Sequence, residues 1–151
     1  MRRLRPGEWV AGIGAAALFG LLFADWFGPI GRSGWASLGW LTLACCCAAI
    51  AIGAWLWVAT ALGRSVPQQV AAGVLTATIG TLALPVLLAR VVIFQPGPNS
   101  ATSVEAAAYL GVVALALIAI GGWWSLKDER TDAPESAYTP PAPRPAPPAH
   151  S

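Results

Sequence analysis

The sequence predicts an all-α protein: a four-helix transmembrane bundle with short loops, followed by a disordered, proline-rich C-terminal tail. Three observations predict it. Of 151 residues, 56% are hydrophobic and only 11% charged, against roughly a quarter charged in a soluble domain. The charges sit at the chain ends and in short breaks. Between the breaks lie apolar runs of roughly 20 residues, the length that crosses a hydrocarbon core about 30 Å thick. No run carries the polar face that each helix of a soluble bundle would need.

Residues 1–8 form a short N-terminal segment, 9–126 the membrane domain and 127–151 the tail. The first span is expected over 9–28, "WVAGIGAAALFGLLFADWFG". The preceding "MRRLR" has the charge of a signal-peptide n-region, but "LLFADWF" offers no A-x-A-like cleavage site, so this helix is expected to be retained. The second span covers about 38–62. Gly63 suits a left-handed position after the helix end, and Pro67 disfavours helix at Val66. The third span covers about 69–94, making an antiparallel hairpin with the second across "GRSVPQQ". Within it, Pro85 is placed to kink the helix, with Thr81 near the freed backbone group. The fourth span, about 103–126, opens with capping-box spacing at Thr102 and Glu105 and closes at "GGWWSLKDER".

Basic residues set the direction. With the N-terminus inside, the cytoplasmic side holds Arg2, Arg3, Arg5, Arg64, Lys127, Arg130 and Arg144, and the outside holds Arg32 and Arg90. Both termini are therefore expected in the cytoplasm, and the protein in the cell membrane. Tryptophan favours the interface. Trp9, Trp123 and Trp124 fall at the inner boundary, Trp26, Trp35 and Trp40 at the outer one, and Trp55 and Trp57 one to two turns above the inner end of the second span.

The run "ACCCA" raises the question of metal or redox chemistry. Successive helical residues point about 100° apart, so Cys45, Cys46 and Cys47 fan around the helix and cannot converge on one tetrahedral ion. Deep in a span they read as small apolar residues. Small residues recur at i, i+4, i+8 in three stripes: Gly12, Ala16 and Gly20; Cys45, Ala49 and Gly53; Ala72, Thr76 and Gly80. Such stripes let helix backbones approach closely in lipid. They are expected to be intrachain packing faces, with homodimerisation as the lesser use.

Arg90 is the one clear charge within a span. It lies about a turn from the outer end and can snorkel to the headgroups. Asp25 is expected at the same level, so an Asp25–Arg90 pair at the outer mouth is the candidate polar site. No cofactor or metal ligand set is apparent. The net charge of +2, without a basic stripe, gives no footprint for nucleic acid. The expected partners are the bilayer itself and a membrane protein or a second copy of the chain.

The tail holds seven of the thirteen prolines and is expected to be a disordered spacer of polyproline-II character. PxxP spacing at Pro140/Pro143 and Pro145/Pro148 leaves open its use as a docking peptide.

"RPGEWV", "SGWASLGWLTL" and "GGWWSLKDER" together resemble the landmarks of a group of small four-span membrane proteins of actinobacteria, over roughly residues 5–131. This chain has Asp25 where the usual first loop has proline before its aromatic pair. Trp124, Leu126 and Lys127 depart from the usual "GGWLSMRDE" ending. The resemblance implies location and topology and brings no catalytic residue with it. The expected function is a non-enzymatic accessory or scaffold component of the membrane. A small oligomeric channel or transporter with an Asp25/Arg90 mouth is the alternative, and a lipid-acting membrane enzyme comes last.

Overall fold

A computed structural model describes residues 4–28, 32–97 and 103–131. The elements in order are α1 (Pro6–Leu21), β1 (Asp25–Gly28), β2 (Arg32–Ser33), α2 (Gly34–Ser37), α3 (Trp40–Ala61), α4 (Val66–Val92), β3 (Ser103–Val104) and α5 (Ala106–Thr131). The protein is mostly helical. Among the described residues, α3, α4 and α5 are long and apolar enough to cross a membrane.

Two expectations need correction. The first apolar run is not one helix: α1 stops at Leu21 and the chain turns into β1. The loops also carry a small antiparallel sheet in the order β2-β1-β3, so the chain is not purely α. Phe27 pairs with Arg32 on one side and with Val104 on the other. The cause lies in "DWFGPIGRSG", whose glycines and proline punctuate the run. Hydropathy cannot see this, because Trp26 and Phe27 are as apolar as the helix before them. Leu18, Leu22 and Trp26 are all fully buried. They continue one apolar line from α1 into β1. The sheet pairs loop backbone groups that would otherwise be left beside apolar surroundings.

The turn after α3 forms at Gly63 as the sequence predicts, but α4 begins at Val66, the position that Pro67 was expected to keep out of helix. Gly63 has φ +62°. Its N–H donates to Thr60 O, and that of Arg64 to Ala59 O, each at 3.0 Å. This is a Schellman closure, with both orphan carbonyls satisfied. Pro67 sits in the first turn of α4, where its missing N–H leaves nothing unpaired. Pro85 lies inside α4, which is continuous through it. Thr81 turns its hydroxyl to Ala77 O at 2.6 Å, not toward the proline. Helix α5 runs a turn past Leu126 to Thr131. Thr102 and residues 132–151 lie outside the described residues, and with them the capping box and most of the expected tail.

Helix α1 packs against α3 and α5, and α4 packs against the same two. The interior is filled by Leu18, Leu56, Leu87, Leu115 and Ile118, all fully buried. The tightest seams meet at Gly121 and Gly122. A Cβ at Gly122 would lie 2.5 Å from Ala77 N of α4, and one at Gly121 would lie 2.6 Å from Gly7 O of α1. These adjacent glycines let α5 touch backbone on both sides at one level.

Candidate functional site

The polar groups gather where α1 ends, α3 begins and α4 ends, under the small sheet. Arg90, in the last turn of α4, organises them. One Nη donates to Ser37 O, the last carbonyl of α2, at 2.6 Å. The other donates to Phe94 O, just past the end of α4. Helix C-termini leave carbonyls unpaired and carry partial negative charge, so a guanidinium spanning two of them satisfies both. Ser37 is tied in turn, its hydroxyl donating to Ser33 O at 2.8 Å. Gln95 donates through Nε2 to Val91 O at 3.2 Å. Two buried atoms here have no protein partner: the Arg90 Nε donor and the Gln95 Oε1 acceptor.

Asp25 is exposed at the start of β1, opposite Ser33. The structure brings it to the same end of the molecule as Arg90 but not into an ion pair with it. Backbone carbonyls take the guanidinium instead. The partners Ser37 and Phe94 had no sequence signal, because an accepting carbonyl carries no residue type. Only the position of Arg90 near a helix end pointed to them.

Trp26 lies on the inner side of β1. Its Nε1–H donates to Leu21 O at 2.6 Å, and a Cβ at Gly111 of α5 would meet its ring at 2.5 Å. It is a core residue, not the interface anchor expected. Trp40, 82% exposed, has the exposure of such an anchor.

Cys46 is buried in the main core, with Cys45 and Cys47 half-buried on either side, and all three are free. The small-residue stripes separate. Ala72, Thr76 and Gly80 are buried, with Gly80 against the Ala119 backbone. Thr76 donates to Ala72 O at 2.7 Å and reaches Ile52 O of α3 at 3.4 Å. Ala49 and Gly53 are buried, Gly53 facing Ala15 and Ile118. On α1 only Gly12 meets another helix, at the Trp57 ring; Ala16 is exposed and Gly20 faces open space. The face of α1 that does pack holds Gly7, Ala11, Gly14, Ala15 and Leu18.

An apolar cleft of about 490 Å³ lies between α1 and α3, reaching from Trp9 to Phe19 along α1 and from Ile50 to Val58 along α3. No protein-family model matches this chain, and neither a curated protein nor a solved structure does.

Proposed function

We propose that this chain is a multi-pass integral protein of the cell membrane, crossing four times with both termini in the cytoplasm, and that it serves as a non-enzymatic accessory or scaffold component. The observation that carries the membrane reading is apolar surface that the protein itself does not cover. The most apolar stretches of α3, α4 and α5 have mean hydropathies of 2.1, 1.9 and 2.0, yet only 28%, 39% and 44% of their residues are buried. In water such faces would drive aggregation; in lipid they are solvated. Helix α1, 16 residues or about 24 Å long, is the shortest crossing. Its side-by-side packing with α5 and α3 supports counting it as the fourth. The excess of basic residues at Arg2, Arg3, Arg5, Arg64, Lys127 and Arg130 over Arg32 and Arg90 supports the direction.

The scaffold reading is supported by what Thr60, Thr76 and Arg90 do. Thr60 and Thr76 hydrogen-bond to carbonyls four residues back in their own helices, the ordinary behaviour of threonine in an apolar helix. Arg90 holds backbone ends together. A polar path along the axis would be needed for a channel in a single chain, and that axis is filled with leucine and isoleucine.

Three measurements test this reading. The protein should stay in the membrane after alkaline extraction. A reporter active only in the cytoplasm should work when fused after Arg130 and fail when placed in the segment 96–103. Activity in that segment would reverse the proposed threading. Purification in native lipid nanodiscs should retain a membrane-protein partner at fixed stoichiometry. A lone homo-oligomer conducting ions would replace the scaffold by the channel.

A further inference from the structure

Pro85 lies inside α4 and has no N–H, so the carbonyl four residues earlier, that of Thr81, loses its helical donor. In membrane helices a freed carbonyl is satisfied by a nearby hydroxyl, a neighbouring helix or water. Among the described residues the local side-chain donors are engaged elsewhere. The Thr81 hydroxyl donates to Ala77 O at 2.6 Å. The indole N–H of Trp123, which α5 brings alongside, donates to Thr81 Oγ1 at 3.1 Å. Thr81 and Pro85 are both exposed, on a face of α4 that α3 and α5 leave open. At about 1.5 Å per residue, Thr81 lies roughly 17 Å from the Val92 end of α4 and roughly 23 Å from its Val66 end. That is near the middle of a hydrocarbon core about 30 Å thick, away from water and headgroups. The same face has the spacing of a helix-packing surface. Val74, Thr78, Thr81, Pro85, Leu88 and Val92 are all exposed and recur at alternating steps of four and three residues. This is the 3.5-residue repeat along which two helices stay in contact. Thr78 and Thr81, in its middle, are of the small kind that membrane helix interfaces favour.

We propose that this face of α4 docks one transmembrane helix of a different membrane protein, and that the helix carries a hydrogen-bond-donating side chain at the depth of the Thr81 carbonyl. This rests on the membrane reading above and names the face by which the scaffold holds its partner. The acceptor selects the occupant. An unsatisfied carbonyl is costly in hydrocarbon, and acyl chains have no donor for it. A second copy of this chain does not supply one either. In a parallel two-fold pair the same patch faces itself, so like residues stand at like heights. The Thr81 carbonyl would then face the other copy's Thr81 and Pro85. The first has its hydroxyl engaged with Ala77 O, and the second has no donor. A helix of different sequence with a polar donor at mid-depth meets the requirement.

The test is photocrosslinking of the full chain in phosphatidylcholine vesicles, with benzoylphenylalanine in place of Leu82, an exposed position one helical turn from Thr78 and Pro85. The probes are two polyleucine transmembrane peptides, one with a single central asparagine and one without. The asparagine amide offers two donors. Crosslinked peptides are read by mass spectrometry. The asparagine peptide should crosslink about threefold more, the ratio expected of one interhelical hydrogen bond in lipid. Pro85→Ala returns an N–H to the Thr81 carbonyl and should bring the ratio to about one. It should do so without lowering the melting temperature, because alanine suits a helix interior better than proline. The same crosslinker at Leu110, exposed on α5, should show no preference. Equal crosslinking of the two peptides at Leu82, an asparagine preference that survives Pro85→Ala, or a crosslink to a second copy in place of either peptide would each overturn the proposal. Alkaline extraction judges the membrane reading separately: a chain that stays in the membrane and shows no preference for asparagine sinks only this inference.

Discussion

The two sides of α1 use the same kinds of residue for opposite ends. Toward α5, Gly7, Ala11 and Gly14 bring backbone against backbone, so that a Cβ at Gly14 would lie 2.8 Å from Ala114 O. Toward α3, Gly12 meets only the Trp57 ring, Ala16 is exposed, and a cleft opens beside them. Small residues at helical spacing permit close approach but do not compel it. What decides is whether the facing element also presents backbone or presents a bulky ring.

The sharpest break of this comparison is an added side chain on each side. Gly122→Leu places its Cβ among Ala77 N and Cα and Thr76 C of α4, backbone atoms that cannot swing away. Ordinary overpacking costs about 1–3 kcal/mol; with backbone as the obstacle, the loss should reach the exceptional range above about 4 kcal/mol. Thermal unfolding in nanodiscs should show no cooperative folded state for Gly122→Leu. The same addition at Ala16 should stay within about 0.5 kcal/mol of the parent, as at other exposed positions. Equal damage at both sites would erase the distinction between seam and cleft.

Next in size is Trp26→Ala. The indole fills the end of the α1–α5 seam against Gly111 and is wholly buried, so its removal should cost about 3–5 kcal/mol. The orphaned Leu21 carbonyl adds to that loss. An interface anchor would lose far less. A shift in melting temperature no larger than that of Trp40→Ala, at an 82% exposed position, would return Trp26 to the boundary.

Cys46→Ala follows. Removing one sulfur from a packed site resembles losing one methyl group, about 1 kcal/mol, while Cys45→Ala and Cys47→Ala at half-buried sites should each cost less. Chemical unfolding of the three single variants ranks them. A larger loss at Cys45 or Cys47 than at Cys46 would mean that those thiols do more than fill space.

The order in which features were legible follows from what each signal encodes. Span length and apolarity are additive properties of side chains, so α3, α4 and α5 could be read directly. The Gly63 turn was legible because a left-handed φ selects for glycine. The end of α1 was not: Trp26 and Phe27 continue its hydrophobicity, and only pairing with Val104, far along the chain, makes them a strand. "GGWW" read as a membrane exit, whereas Gly121 and Gly122 are the contact point of three helices. Arg90 was found because a charge in an apolar run is conspicuous. Its partners were not, because they are carbonyls.

The smallest expected effect is the coupling between Asp25 and Arg90. An ion pair held in contact would give a double-mutant coupling of about 0.5–3 kcal/mol. Here the guanidinium is occupied by the Ser37 and Phe94 carbonyls, and Asp25 is exposed on the sheet. Around the exposed Asp25, water and salt screen what attraction remains. Arg90→Ala should destabilise the junction of α2 and α4 by itself, because it leaves two helix-end carbonyls without their donor. Asp25→Ala should do little, and the two losses should add to within about 0.5 kcal/mol. Thermal unfolding of the four proteins in lipid nanodiscs gives the coupling directly. A value above that range would show that Asp25 reaches Arg90 in the membrane. The end beneath the sheet would then be a charged mouth and not a backbone clamp, which would reopen the channel reading.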